Sequence, residues 1–249
     1  MAAPLGIIGS GAIGGTLARL AVAAGLDVIL SNSRGPQTLT ELVQELGPRA
    51  RAATVTEATR EADLVIAAIP LSAYTDLPAD DLAGKVVIDT TNYYPQRDGQ
   101  IPDLDEDKST ASQLVQAHLA ASYVVKAFNN ITFASLGNGA RPAGAPDRSA
   151  LPIAGEDATS KARVTDLLNT IGYDAVDTGG LAASWRSEPG TPVYCDPYMP
   201  EWPTNALTTE ELIQWLLAAP VIPQSAQRVE ELVASAVKGP AGGYFPEVQ

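Results

Sequence analysis

Leu5-Gly6-Ile7-Ile8 runs without a break into Gly9-Ser10-Gly11-Ala12-Ile13-Gly14, an apolar run followed by three glycines at the spacing G-x-G-x-x-G. The run has the character of a buried strand, and residues 13–24 repeat apolar positions every three or four residues, as an amphipathic helix does. Between those two elements each glycine has a physical task. Gly9 permits a tight turn, Gly11 leaves room for a pyrophosphate against the backbone, and Gly14 lets the helix pack closely on the strand. The helix N-terminus adds free N–H groups and the positive end of its dipole. We therefore read residues Gly9, Ser10, Gly11, Ala12, Ile13 and Gly14 as a dinucleotide-phosphate loop, the plainer alternative being a structural corner. A second apolar run at 28–30, at the spacing such a site requires, favours the loop.

The same rhythm continues outward. Short apolar runs at 64–69, 86–88, 124–127, 151–154 and 173–176 alternate with helical patterns at 37–46, 110–119 and 158–171. Alternation of this kind predicts right-handed crossovers and an α/β, doubly wound, mostly parallel sheet, a Rossmann fold. Two stretches interrupt it: an acidic loop at 98–108 and a Gly/Pro/Ala-rich loop at 137–149, for which a lid and a plain connector are both open readings. Beyond Gly180 the closely spaced Pro189, Pro192, Pro197, Pro200 and Pro203 forbid long regular elements, so this segment should wrap. Thr208 or Thr209 can cap a helix at 210–218 and Ser225 one reaching 237. The expected division is a Rossmann domain at 1–180 and a proline-rich, helical extension at 181–249 that completes the substrate pocket.

The chain has 249 residues with 16 Lys and Arg against 29 Asp and Glu, a net charge of −13, one histidine and one cysteine. A lone Cys195 and a lone His118 exclude an internal disulfide and a zinc module, and they make a hydrolase triad improbable. The acidic balance without a basic run argues against nucleic acid. No apolar run is long enough to span a membrane, and the N-terminus lacks a secretory pattern, so a cytoplasmic location is expected. His118 should lie on the surface and Cys195 should be a packed thiol. The aromatics Tyr194, Tyr198 and Trp202 in the wrap point to a homodimer.

The second strand bears on which dinucleotide is bound. An NAD site carries a carboxylate at its end, whereas here it continues as Ser31-Asn32-Ser33-Arg34. Small polar groups followed by a guanidinium suit a 2′-phosphate, which favours NADP(H), although ordinary turn residues would read the same.

Further along, Ala67-Ala68-Ile69-Pro70, Asp89-Thr90-Thr91-Asn92 and Val125-Lys126-Ala127-Phe128-Asn129-Asn130-Ile131 join the glycine loop and Ser33-Arg34 in a pattern that resembles the NADP oxidoreductases dependent on coenzyme F420. The resemblance covers roughly residues 5 to 188 and implies direct hydride transfer between the deazaflavin F420 and the nicotinamide; the same domain occurs in membrane ferric reductases. Such a transfer depends on placement of two rings in a dry pocket more than on acid–base groups, in keeping with a single histidine. The pocket of a doubly wound sheet lies at the carboxyl ends of its strands. Ala68, Ile69, Pro70 and Asn92 are thus read as cofactor contacts, and Leu71, Thr91 and Asn129 as pocket residues, with strand termination and turn capping as the structural alternatives for Pro70, Asn92 and Asn129.

Asn129 stands where the resemblance implies a histidine, so the nicotinamide half of the family's site carries over better than the deazaflavin half. Trp185 and Arg186 could stack on and pair with an anionic acceptor, or anchor the wrap. Lys126 and Asn130 have the spacing of the Lys/Asn pair of β-hydroxyacid dehydrogenases, but a strand end puts them on no common face, and the pairing is discounted. The leading expectation is an NADP(H)-dependent oxidoreductase with a small-molecule hydride donor or acceptor, no metal and no identified catalytic residue. A carbonyl or imine reductase without F420, and a non-catalytic NADP-binding redox sensor, remain open.

Overall fold

Strands whose residues are all apolar need cover on both faces, and the chain supplies it by alternating strand and helix. The structure, a computed structural model, describes residues 3–203 and 207–243. Its elements in order are β1 (Leu5–Ile8), α1 (Ala12–Ala23), β2 (Val28–Ser31), α2 (Thr40–Leu46), β3 (Ala50–Ala52), α3 (Val55–Glu61), β4 (Leu64–Ala67), α4 (Ala79–Leu82), β5 (Val86–Asp89), α5 (Pro95–Asp98), α6 (Pro102–Asp105), α7 (Ala111–His118), β6 (Tyr123–Lys126), α8 (Phe133–Asn138), β7 (Ala150–Gly155), α9 (Ala158–Ile171), β8 (Asp174–Asp177), α10 (Thr209–Ala218) and α11 (Ala226–Ser235).

The strands form one sheet in the order β3-β2-β1-β4-β5-β6-β7-β8. The first six in that order are mutually parallel; β7 runs antiparallel to β6, and β8 is parallel to β7. The order reverses between β1 and β4, which opens a crevice at their carboxyl ends. One apolar cluster, under α1, α9 and α11, and a second, under α4 and α7, bury the two faces. The fold is the doubly wound, mostly parallel Rossmann sheet expected from the sequence.

Several local expectations change. β3 and α3 have no counterpart in the apolar pattern: β3 is three residues with Arg51 pointing outward. α3 did carry a readable signal, the Thr54–Glu57 capping box. β4 stops at Ala67, two residues short of the expected 64–69, because the chain turns there over the glycine loop. The 137–149 segment is no lid: its first residues end α8, and Arg148, 7% exposed, pins the rest to the far edge of the sheet. Arg148 donates to Asp174 at 2.7 Å and to the Tyr173 carbonyl at 2.7 Å. His118 is half-buried rather than on the surface, with Nε2 2.8 Å from the Leu77 carbonyl and its ring edge-on to Tyr74.

Among the described residues no helix is long and apolar enough to cross a membrane. Residues 181–203 wrap in short 3-10 turns, and α11 packs on β7 and β8. Of the wrap aromatics, Tyr198 is fully buried, Tyr194 is half-buried, and Trp202 is 40% exposed and tilted on Trp215. Most of the aromatic surface that pointed to a dimer is therefore spent within the chain. Ile66 lies unexposed in the central strand β4; Ile66→Ala should cost about 2–5 kcal/mol in urea unfolding, with the slope unchanged.

Candidate functional site

The glycine loop is held by backbone contact. Gly9 has φ of 95°, and its N–H donates to the Ser31 carbonyl at 2.8 Å. A Cβ on Gly9 would stand 2.1 Å from the Ala68 carbonyl oxygen, and one on Gly14 would stand 1.9 Å from that of Gly9. Gly11 differs: a Cβ there would meet nothing within 4 Å. Packing explains the glycines at 9 and 14, whereas Gly11 borders open space at the start of α1, where the helix has no side-chain cap and no acidic residue in its first turn. Unpaired N–H groups beside an open approach suit a phosphate, so the loop fits a dinucleotide.

The crevice has two lobes that share Gly11, Ala68, Ile69 and Pro70. The first, about 310 Å³, is bordered by Gly9, Ser10, Asn32, Ser33 and Arg34. Arg34 is exposed, and its guanidinium has no ion-pair partner among the described residues. The Asn32 side chain shapes this turn, accepting from the Arg34 N–H at 3.0 Å and donating to Thr38 at 2.9 Å. The second lobe, about 420 Å³, is bordered by Ala12, Ile13, Thr91, Asn92 and Asn129, together with Tyr94, Arg97, Phe128, Phe133, Tyr194, Cys195 and Leu216. Asn92 and Asn129 are tied by two hydrogen bonds, of 2.8 and 3.1 Å, across the floor of this lobe.

Four expected site residues lie elsewhere or face another way. Ser31 is fully buried, its hydroxyl donating to the Ile7 carbonyl at 3.1 Å, so it braces the loop from beneath. Leu71 has no exposure and belongs to the apolar core on the α7 side, because the chain turns inward after Pro70. Trp185 and Arg186 face the C-terminal segment: Arg186 lies 4.6 Å over the Trp185 ring and donates to the Val233 carbonyl. They anchor the wrap. Lys126 and Asn130 have separate partners, Asp89 and Thr91 for the first and Val193 and Tyr198 for the second.

The sequence reading missed Tyr94, Arg97, Phe128, Tyr194, Cys195 and Leu216. Arg97 is the one charged residue bordering the second lobe among the described residues. It is oriented by Asp98 at 2.9 Å and stacks 4.9 Å over the Tyr94 ring. Burial opposes ionisation of Asp98, but hydrogen bonds from Arg97 and the Tyr94 and Ser72 N–H groups hold it below the usual carboxylate range. Position five residues after Asn92 was a usable signal for Arg97, since the loops after strands build such sites. Phe128 and Cys195 both adopt positive φ, 61° and 53°, a costly conformation for residues other than glycine and frequent at ligand sites.

Cys195 borders the lobe and is also a packed thiol, as expected. Burial pushes its thiol up to about 12, against a hydrogen bond with Tyr194, and burial likewise raises Tyr94 and Tyr194, whose hydroxyls contact each other. A raised folded-state value means that stability is complete below the ordinary thiol range and falls as pH rises toward the folded-state value. Iodoacetamide at mildly alkaline pH should therefore spare Cys195 in the folded chain and label it in denaturant, as read by mass spectrometry.

With the geometry in hand, the likenesses to known proteins become informative. Residues 4–93 match the family model described as NADP oxidoreductase, coenzyme F420-dependent. A hypothetical protein of Sinorhizobium meliloti is 30% identical, with a TM-score of 0.69 over 78% of this chain and 93% of that one. A candidate F420-dependent NADP reductase of Arthrobacter sp. FB24 is 25% identical, with a TM-score of 0.62 over 72% and 86%. The metalloreductase STEAP3 of Rattus norvegicus is 28% identical over 186 residues, 74% of this chain and 35% of its own length. The chain thus spans about a third of that curated relative. With a glycine loop of this geometry on this sheet, and solved relatives that cover 78% and 72% of its length, the chain belongs to the family of coenzyme F420-dependent NADP oxidoreductases.

Proposed function

We propose that the chain binds NADP(H) along the two-lobed crevice and transfers a hydride between the nicotinamide and a second small molecule, the deazaflavin F420 being the partner that family membership favours. The observation that carries this is the pairing of the lobes. One offers an unpaired arginine beside a phosphate loop, the other an aromatic and apolar chamber, and they meet at Gly11, Ala68, Ile69 and Pro70.

NADP(H), when bound, supplies the hydride chemistry itself. The chain's part is placement and dryness. Gly9, Ser10, Gly11 and the first N–H groups of α1 would hold the pyrophosphate, with Ala12, Ile13 and Gly14 setting the angle of the helix. Asn32, Ser33 and Arg34 would hold the 2′-phosphate, Arg34 by charge and by its fork of donors. Ala68, Ile69, Pro70 and Asn92 would border the cofactor toward its reactive end. Phe128, Phe133, Tyr194 and Leu216 would exclude water there, and Arg97 would favour a second substrate that carries negative charge. Tyr194, Cys195 and Leu216 come from the extension at 181–249, which in this reading completes the pocket. A homodimer in solution is part of the same proposal, and size-exclusion chromatography would show it.

Gly11→Ala should cost stability about 1 kcal/mol or less, yet weaken NADPH binding sharply. Gly14→Ala should impair folding itself. Arg34→Ala should raise KM for NADPH and leave that for NADH nearly unchanged; equal effects on both would overturn the 2′-phosphate assignment. For the second substrate, mixing the chain with NADPH and oxidised F420 should bleach the deazaflavin's visible absorbance. Absence of turnover with both present in excess would remove F420 and leave NADP(H) binding standing.

A further inference from the structure

Thr91 is 2% exposed yet borders the second lobe, and its hydroxyl oxygen is buried without a hydrogen-bond partner among the described residues. A buried unpaired hydroxyl costs free energy that a side chain of the same shape with a methyl in its place would not. Asn130 Oδ1, Ser184 Oγ and Glu188 Oε1 likewise lack a hydrogen-bond partner among the described residues, but of these residues it is Thr91 that borders the second lobe.

The peptide that carries it is gripped from both sides. Asp89 Oδ1 accepts the Thr91 N–H at 2.9 Å, and Lys126 Nζ donates to the Thr91 carbonyl at 2.5 Å. Lys126 Nζ and Asp89 Oδ2 lie 3.4 Å apart, with 1% and 0% of their side chains exposed, and Ser112 Oγ donates to the same carboxylate oxygen at 2.6 Å. Glu188 Oε1 stands 3.8 Å from the ammonium. A dry ion pair is a poor source of stability, because well-packed apolar residues often do as well. What it does supply is a fixed backbone at the carboxyl ends of β5 and β6, where the second lobe begins.

We infer that Thr91 Oγ1 is a binding atom for the nicotinamide end of NADP(H), and that Lys126 and Asp89 are positioning residues that hold it in place. The inference rests on the NADP(H) reading above and adds the group that recognises the reactive end. The lobe lies on the far side of Gly11 from Arg34, so a dinucleotide with its 2′-phosphate at Arg34 presents its nicotinamide here. The carboxamide of that ring both donates and accepts, and a hydroxyl serves it in either role.

The test is direct binding to the purified full chain, followed by NADPH fluorescence, beside adenosine 2′,5′-bisphosphate, which keeps the phosphate-bearing half and lacks the nicotinamide. Thr91→Val should weaken NADPH roughly tenfold and leave the bisphosphate unchanged. Asp89→Asn with Lys126→Met removes both charges of the pair together, and Glu188→Gln made in the same chain keeps the neighbouring carboxylate from being left without its cation. That variant should lose a similar factor for NADPH only, and adding Thr91→Val should cost nothing more. Should the variant fail to fold, Lys126→Arg keeps the charge while displacing the carbonyl contact, and unaltered NADPH binding by it would overturn the positioning role. Thr91→Val that binds NADPH as the wild type does, or loses both probes equally, overturns the binding role. A wild-type chain that binds neither probe overturns the cofactor reading as well, so the two failures are distinct.

Discussion

At the carboxyl edge of β1 and β4, three backbone segments meet with no side chain between them. Gly9 lies against the Ala68 carbonyl, Gly14 lies against Gly9, and the Ala68 N–H donates back to the Ile8 carbonyl at 2.8 Å. That closeness draws the start of α1 onto the sheet and leaves its N-terminal N–H groups facing the crevice. It also sets the sides of the crevice, because the residues after β4 become the shared wall of both lobes. Enlarging either glycine would separate elements that the rest of the sheet is built around.

The distribution of charge follows a related logic. In a chain of net charge −13, many of the basic groups are taken up in pairs. The exposed pairs, such as Arg19 with Glu45, contribute little to stability. Other cations stand out by where they lie. Arg148 is buried as a clamp on the far sheet edge, Lys126 is buried beneath the crevice floor, and Arg34 stands at its rim with no ion-pair partner among the described residues. The crevice carries Arg34 and Arg97 against one carboxylate, Asp76, among the described residues; in an acidic molecule that is a natural place for an anionic ligand, and the proposed cofactor is one.

Much of the architecture was legible from short-range pattern. The apolar runs marked seven of the strands to within about two residues, since strands covered on both faces leave an uninterrupted signal. β3 escaped because an edge strand of three small or charged residues has no such signal. The phosphate side of the proposed site was legible for the same local reason: Gly9, Gly11 and Gly14 are set by backbone conformation, and Ser33-Arg34 lie on an exposed turn. Ser31 and Leu71 show where that reasoning stops. Both sit next to true crevice residues in sequence, and only the direction of the side chain, into the protein, removes them.

The sequence by itself determined the fold class and the place of the glycine loop, and its motifs resembled the family, because periodicity and glycine spacing are properties of neighbouring residues. The tertiary structure decided the composition of the second lobe. Tyr94 and Tyr194 touch across 100 residues of chain, Leu216 arrives from α10, and Lys126 reaches Thr91 from a different strand. Their meeting depends on the path of a proline-rich wrap and on the registers of adjacent strands, and no window of sequence contains either. The sole histidine and cysteine, which at first only excluded chemistries, end up as a packed ring and, at the edge of the second lobe, a thiol on a strained backbone.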